Sequence, residues 1–450
     1  MIKKGFFTIC MSLPTIKVTK HQKEVLKMKE IRVAMIGAGV ISHRHMTIYE
    51  SIRENAEKLG FTARVVAVAE IDRSKLKAWG EQYGFEEKDL YVDFRDMLKR
   101  DDIDTVDINV HNNYHTPVAI ACLKAGYDCY VEKPMAASFH DAKLITDCAK
   151  KLGRKLHVQI SSIMTPQSRV AKDMIDRGDL GNIYYVNLES VSHRWRPGLD
   201  WRPGWTSSPL TTDFYTKQIA GHGKSIDIGV YLISQILFIL GRPNLKSVNG
   251  FARNGILVDP RLVENPLGFG VEDIADGFAK FENGVGFHFL CTTAANTQDY
   301  NKTYILGSKG GLDIIDTDTG GGRWARKPGQ TPFKGEPELR FYGDLNGRDI
   351  SMDLNCDVNG VIETRIGSQA LLYNDNQAMW LAYWLGILDN SSRYDTPSIA
   401  MDMLKFTDGI FLSEQLGREV TAEEIEKLSP ALYLPEQEID GKLVKYDTDF

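Results

Sequence analysis

The sequence predicts an α/β Rossmann domain, doubly wound, at the N-terminal end, followed by an α+β domain with a large mixed or antiparallel sheet. Three observations predict it. Short apolar runs alternate with helical stretches through residues 31–160, and the turn Gly37-Ala38-Gly39 closes the first run. Beyond Ser161 the alternation gives way to successive strand-like segments.

Ile31–Ile36 is a strand by its apolar content, and Val40–Lys58 carries the helical period after the glycine turn. Ala63–Ala69, rich in β-branched residues, is the second strand, followed by a helix at Ser74–Tyr83. A short strand at Leu90–Val92, a helix at Phe94–Lys99 and a strand at Thr105–Val110 continue the series. Pro117–Ala125 reads as helix, Asp128–Val131 as strand, Asp141–Leu152 as helix and Lys155–Ile160 as the last strand. Strands separated by helices at this spacing form a parallel sheet. The second half opens with a helix at Arg169–Arg177. Strand segments follow at Tyr184–Ser192, Leu245–Ala252, Ala275–Phe281, Gly286–Thr292 and Tyr304–Leu306. Turn signals such as Glu282-Asn283-Gly284 separate them, and helices recur at Ile226–Leu240, Gln377–Leu388 and Ala400–Leu416. The expected division is an extension over 1–29, a dinucleotide-binding domain over 30–158 and an α+β substrate and oligomerisation domain over 159–450.

The chain is long enough, at 450 residues, for two cores, and its 43% hydrophobic and 25% charged residues are ordinary globular usage. A formal charge of −6 argues against a nucleic-acid partner, which calls for a basic footprint. A small neutral or mildly anionic substrate fits better. The six cysteines lack paired or His-interleaved spacing, so neither a metal site nor a disulfide framework is expected, and reduced thiols fit a cytoplasmic protein. Residues 1–29 carry a charged start and a short apolar stretch without a small-x-small cleavage site. We read them as an extension, with Met11 and Met28 as alternative starts, and no segment reaches membrane-spanning length.

Gly37 and Gly39 stand where a dinucleotide fingerprint belongs: one permits the tight turn, the other lets backbone approach a pyrophosphate at the helix N-terminus. Val40 and Ile41 open that helix, and Ser42 takes the third small position in place of glycine or alanine. Glu70 ends the second strand, where a carboxylate meets the adenosine ribose 2′-hydroxyl and favours NAD; Arg73 nearby leaves NADP as the lesser alternative.

Asn112-x-x-His115, then Ala125-Gly126 and Glu132-Lys133-Pro134, resembles the Gfo/Idh/MocA oxidoreductases, the family of glucose–fructose oxidoreductase and inositol dehydrogenase. Gly221-His-Gly-Lys-Ser-Ile-Asp227-Ile-Gly-Val-Tyr231 resembles that family's G-G-G-x-L-x-D-x-G-x-H segment, with tyrosine at the histidine position. Later echoes extend the resemblance to Val420. It implies an NAD-dependent oxidoreductase acting on a secondary hydroxyl of a sugar, sugar acid or cyclitol, with a dimer or tetramer paired through the large sheet. It further implies cofactor contacts from Asn112, His115, Glu132 and Lys133, with Lys133 reaching the substrate hydroxyl.

Asp227 and Tyr231, four apart, share a helix face. We expect Tyr231 to give and take the proton, Lys133 to clamp the substrate and lower the phenol's pKa, and Asp227 to orient substrate or lysine. Tyr231 as a core aromatic and His222 as the base or a substrate contact stay open. The tandem Trp-Arg-Pro-Gly element offers Arg194, Trp195, Trp201 and Arg202 as sugar and anion contacts, or equally as a structural arm. Two other functions share these residues: a redox-assisted glycoside hydrolase or lyase, and a non-catalytic sugar sensor.

Overall fold

Two large β-sheets organise the described residues, and one late helix binds them together. The computed structural model describes residues 29–193, 222–223, 227–254, 256, 271–315, 339–354, 376–387 and 394–450. The first sheet forms from β1 (Lys29–Ile36), β2 (Phe61–Ala69), β3 (Leu90–Tyr91), β4 (Thr105–Ile108), β5 (Asp128–Val131) and β6 (Leu156–Val158). Between them run α1 (Val40–Glu54), α2 (Ala56–Leu59), α3 (Arg73–Tyr83), α4 (Phe94–Met97), α5 (Asn112–Lys124) and α6 (Phe139–Leu152). The strands are all parallel in the order β3-β2-β1-β4-β5-β6. This is the doubly wound dinucleotide-binding order, and it lines up the ends of β1, β2, β4 and β5 along one carboxyl edge.

Local signals set the helix ends. The Asp72 carboxylate accepts from Ser74 N and Lys75 N at the start of α3, and Ser138 Oγ accepts from Asp141 N at the start of α6. Helix α1 breaks at Asn55, so the run predicted to Lys58 is two helices. Helix α5 begins five residues before Pro117, ahead of its predicted start. Proline lacks the N–H that would bond Asn113 O one turn back; that carbonyl instead accepts Leu434 N at 2.9 Å. A distant segment therefore satisfies the gap that Pro117 opens.

The second half begins with α7 (Pro166–Asp176), capped by Thr165 Oγ1 on Ser168 N. Its sheet is built from β7 (Ile183–His193), β8 (Leu245–Arg253), β9 (Ile274–Phe281), β10 (Gly286–Ala295), β11 (Tyr300–Gly307), β12 (Gly310–Ile314), β13 (Leu339–Asp344) and β14 (Asp349–Leu354). Helix α8 (Gly229–Ile239) precedes β8, and α9 (Asn376–Trp384) and α10 (Thr396–Leu416) follow β14. The chain continues through β15 (Val420–Thr421), α11 (Ala422–Leu428) and the strand pair β16 (Glu436–Ile439) and β17 (Lys442–Lys445). The nine strands run β14-β13-β12-β11-β7-β10-β9-β8-β15, mixed because β7 and β10 pair in parallel. Strands β12 to β17 and α11 are additions to the elements the sequence suggested.

Helix α10 lies on the inner face of this sheet. Gly250 and Gly277 face each other across β8 and β9, and a Cβ on either would come within 2.7 Å of Ile410. The glycine pair lets the helix approach. The N-terminal end of α10 reaches the first sheet, where Thr396 Oγ1 accepts Val158 N at 2.9 Å, and, nearer Ile410, Asp408 Oδ2 accepts Phe139 N of α6 at 2.8 Å. The β16–β17 turn holds Asp440 and Gly441 at φ 53° and 73°, a two-residue connection matched to strand twist. Around this hairpin Tyr446 stacks on Phe94 with ring centroids 6.2 Å apart, and Lys124 pairs with Asp447.

Candidate active site

The glycine turn is built as its residues dictate. Gly37 has φ +98°, its N–H bonds Ala69 O at 2.8 Å, and a Cβ there would lie 2.5 Å from Asn109 O. Glycine alone fits that conformation and that approach. Gly39 differs: a Cβ there meets nothing within 4 Å, and as N-cap of α1 it supplies no side-chain acceptor. No side chain therefore caps the start of α1, and the space over Gly39 is free for a pyrophosphate to approach the helix N-terminus. Val40 stands exposed and Ile41 half-buried beside them. Ser42 Oγ, fully buried, donates to Gly39 O at 2.6 Å and accepts Trp79 Nε1 at 2.9 Å. The serine that departs from the fingerprint pins α1 to α3.

Glu70 stands against this loop, its carboxylate accepting Ala38 N at 2.9 Å and Asp72 N at 3.1 Å. An ionised carboxylate keeps further lone pairs for a ribose hydroxyl. Asn112 is the first residue of α5, half-buried. His115 is buried between two carbonyls, Pro134 O at 2.7 Å and Val110 O at 3.0 Å. Burial lowers its pKa more than those carbonyls raise it, and a neutral ring donates to one of the two carbonyls while packing between the Glu132–Pro134 segment and the end of β4.

Lys133, Asp227 and Tyr231 come together. Lys133 Nζ donates to Asp227 Oδ1 at 2.7 Å and to Asp227 O at 3.1 Å, and it stands 4.8 Å from the centre of the Tyr231 ring. Burial opposes the ammonium, but the charges of Asp227, Tyr231 and Glu132 outweigh it and hold Lys133 above its ordinary pKa. The expected depression of the Tyr231 phenol does not occur. Burial raises it, the lysine charge lowers it, Glu132 and Asp227 raise it again, and the balance is pushed up to about 12. The ammonium's attraction is real, and two carboxylates and desolvation outweigh it.

Next to Lys133, Glu132 joins two residues that sequence reasoning missed, His45 and Asp107. Glu132 Oε2 accepts Lys133 N at 2.8 Å, while Glu132 Oε1 meets His45 Nε2 at 2.9 Å. His45 Nδ1 meets Asp107 Oδ2 at 2.9 Å, and Asp107 also accepts Tyr49 OH at 2.8 Å and Asn109 Nδ2 at 3.1 Å. Burial pulls the imidazole pKa down, but the charges and hydrogen bonds of Asp107 and Glu132 push it up to about 9. His45 is an imidazolium between two carboxylates. Burial likewise raises Glu132, and the hydrogen bond and charge of His45 bring it below its ordinary range. The signal in the sequence was Asp107 inside a β-branched run that had to be buried.

His222 stacks on Phe411 at 4.5 Å, its Nε2 3.9 Å from Asp408 Oδ1. It packs against α10. Arg194, Trp195, Trp201 and Arg202 lie outside the described residues. Among the described residues no cluster of three or more His, Cys, Asp or Glu is placed to hold a metal, and Cys122, Cys129, Cys148 and Cys291 are buried thiols.

Two family descriptions match the chain: the NAD-binding Rossmann fold of the Gfo/Idh/MocA oxidoreductases over residues 31–160, and the C-terminal domain of the same family over 168–313. The chain belongs to the Gfo/Idh/MocA oxidoreductase family. Among relatives, D-glucoside 3-dehydrogenase of Escherichia coli K12 is 28% identical over 310 residues, 66% of this chain and 82% of that protein. Levoglucosan dehydrogenase of Pseudarthrobacter phenanthrenivorans is 26% identical over 299 residues, 63% of this chain and 73% of that one. A solved structure of levoglucosan dehydrogenase with NADH and L-sorbose superposes with a TM-score of 0.68 at 23% identity, covering 88% of this chain and 99% of its own. As a Gfo/Idh/MocA protein this is an NAD-dependent oxidoreductase, and the open N-terminus of α1, the Gly37 approach and Glu70 fit that cofactor.

Proposed function

We propose that this enzyme transfers hydride between NAD and a secondary hydroxyl of a sugar, sugar acid or cyclitol at the Lys133–Asp227–Tyr231 group. The observation that carries this is the half-buried ammonium of Lys133, held by Asp227 at 2.7 Å on the carboxyl edge of the first sheet. NAD supplies the hydride acceptor. Lys133 holds the substrate oxygen and stabilises negative charge there as the O–H proton leaves. Asp227 aims the ammonium. Tyr231, protonated at neutral pH, donates to a carbonyl oxygen in the reductive direction; in the oxidative direction its deprotonation makes turnover rise with pH.

The names of the relatives support a sugar substrate, and the cofactor corner at Glu70 supports NAD over NADP. The reading includes a cytoplasmic homo-dimer or tetramer. Among the described residues no helix is long and apolar enough to cross a membrane. The outer face of the large sheet exposes Phe251, Phe278, Tyr300 and Tyr342, an aromatic patch of the kind subunits cover. The test is absorbance at 340 nm with purified protein, NAD and a panel of glucosides, anhydrosugars, sugar acids and inositols, with mass spectrometry of products. NADH formed in step with an oxidised product supports the dehydrogenase. Glycoside cleavage without net NADH would replace it with the redox-assisted hydrolase or lyase, and binding without either product with a sensor.

A further inference from the structure

The hairpin of β16 and β17 lies along the carboxyl edge of the first sheet. Its lead-in bonds Asn113 O beyond β4, Tyr446 just after it stacks on Phe94 beyond β3, and its turn reaches Arg73 beyond β2. At that turn Asp440 grips the guanidinium with both oxygens: Arg73 Nε donates to Oδ1 at 2.9 Å and Nη2 to Oδ2 at 2.8 Å. The left-handed φ of 53° fixes Asp440 at the tip, a conformation aspartate tolerates better than most residues.

Arg73 follows Glu70 by three residues and is the first cation after β2. The acid at this strand end meets the adenosine ribose, and a nearby arginine is what accommodates a 2′-phosphate in sites that take NADP. A guanidinium fork binds phosphate through the same paired N–H groups that it offers a carboxylate. In this chain Asp440 already holds that fork and adds a negative charge beside it.

We propose that Asp440 is a cofactor-specificity residue, which excludes NADP by engaging the Arg73 fork and repelling the 2′-phosphate. This rests on the reading that the adenosine ribose sits at Glu70. The selection against NADP then has two sources: one carboxylate from the sheet and one delivered from a hairpin 370 residues later in the chain. The pair is solvent-exposed, with Arg73 67% and Asp440 53% open, so its worth to folding is small. Its effect is on which dinucleotide the corner accepts.

The test is equilibrium binding of NADH and NADPH to the full chain, followed by nicotinamide fluorescence, for wild type, Asp440→Asn and the double variant Asp440→Asn/Arg73→Gln. Asp440→Asn should tighten NADPH about five- to tenfold and leave NADH within about twofold. The gain should shrink at high salt, as phosphate–guanidinium attraction does. The double variant should return NADPH to its wild-type affinity. Unchanged NADPH affinity in Asp440→Asn, with NADH still bound, would overturn the proposal alone. A gain that survives loss of Arg73 would overturn the fork mechanism. A wild-type protein that binds neither dinucleotide would overturn the cofactor reading and the proposal together.

Discussion

Replacing His45 by glutamine keeps a polar side chain of similar reach but removes the buried imidazolium. In the folded protein the imidazole pKa is pushed up from 6.5 to about 9. At about 1.36 kcal/mol per pH unit, that displacement contributes about 3 kcal/mol of stability. The group is fully buried, so solvent screening does not discount it. The sign follows from the direction. A raised pKa means the folded state holds the proton longer, so the contribution is complete below pH 6.5 and lost as pH climbs through about 9. Glu132, displaced downward, titrates below this window and leaves the slope to His45. Urea unfolding followed by circular dichroism at intervals from pH 6 to 9.5 should show wild-type stability falling by about 3 kcal/mol more than that of His45→Gln. The two proteins should converge at the alkaline end. A difference constant from pH 6 to 9.5 would refute an imidazolium at this position.

Three further outcomes are expected. Gly37→Ala should cost about 2 kcal/mol in urea unfolding and weaken NADH binding, because φ is +98° and the added carbon would lie 2.5 Å from Asn109 O; wild-type affinity and stability would remove the glycine argument. Lys133→Met should lower kcat by about 10³-fold or more while NADH still binds, measured by steady-state turnover beside a fluorescence titration; a variant within tenfold of wild type would discard the oxyanion role. Tyr231→Phe should lower kcat by about 10²-fold and flatten the rise of oxidation with pH that a phenol near 12 imposes; an unaltered pH profile would return Tyr231 to a packing role.

The features legible in the sequence were local ones. Gly37-Ala38-Gly39 and Glu132-Lys133-Pro134 each act within one short segment, so the order of residues states their geometry; Asp227 lies ahead of α8, which begins at Gly229, and meets Lys133 from there rather than from a shared helix face with Tyr231. The parallel sheet was legible for the same reason, since each strand announces itself and the connections obey one handedness. What was missed depends on residues far apart. His45 and Asp107 are separated by 62 positions, and no spacing rule links them. The start of α5 was misplaced because the carbonyl freed by Pro117 is satisfied by Leu434, a partner more than 300 residues away. The Tyr231 proton was misjudged because only the Lys133 charge was weighed; burial, the largest influence, was not visible, and Glu132 and Asp227 were not counted against the lysine.

Helix α10 has a consequence for how the chain reaches its native state. It closes β6 and α6 from the far end of the sequence: Thr396 on Val158 spans 238 residues and Asp408 on Phe139 spans 269. Contacts of such long sequence separation form late, after the loop entropy between them has been met. A ribosome emitting this protein therefore exposes a nucleotide-binding half whose outer strand and helix lack their cover until residue 416 has emerged. Cut out as a fragment, residues 30–158 would present that uncovered flank to water and to each other. The first half is incomplete as a folding unit, and its Arg73 corner and Lys133 also take Asp440 and Asp227 from outside it.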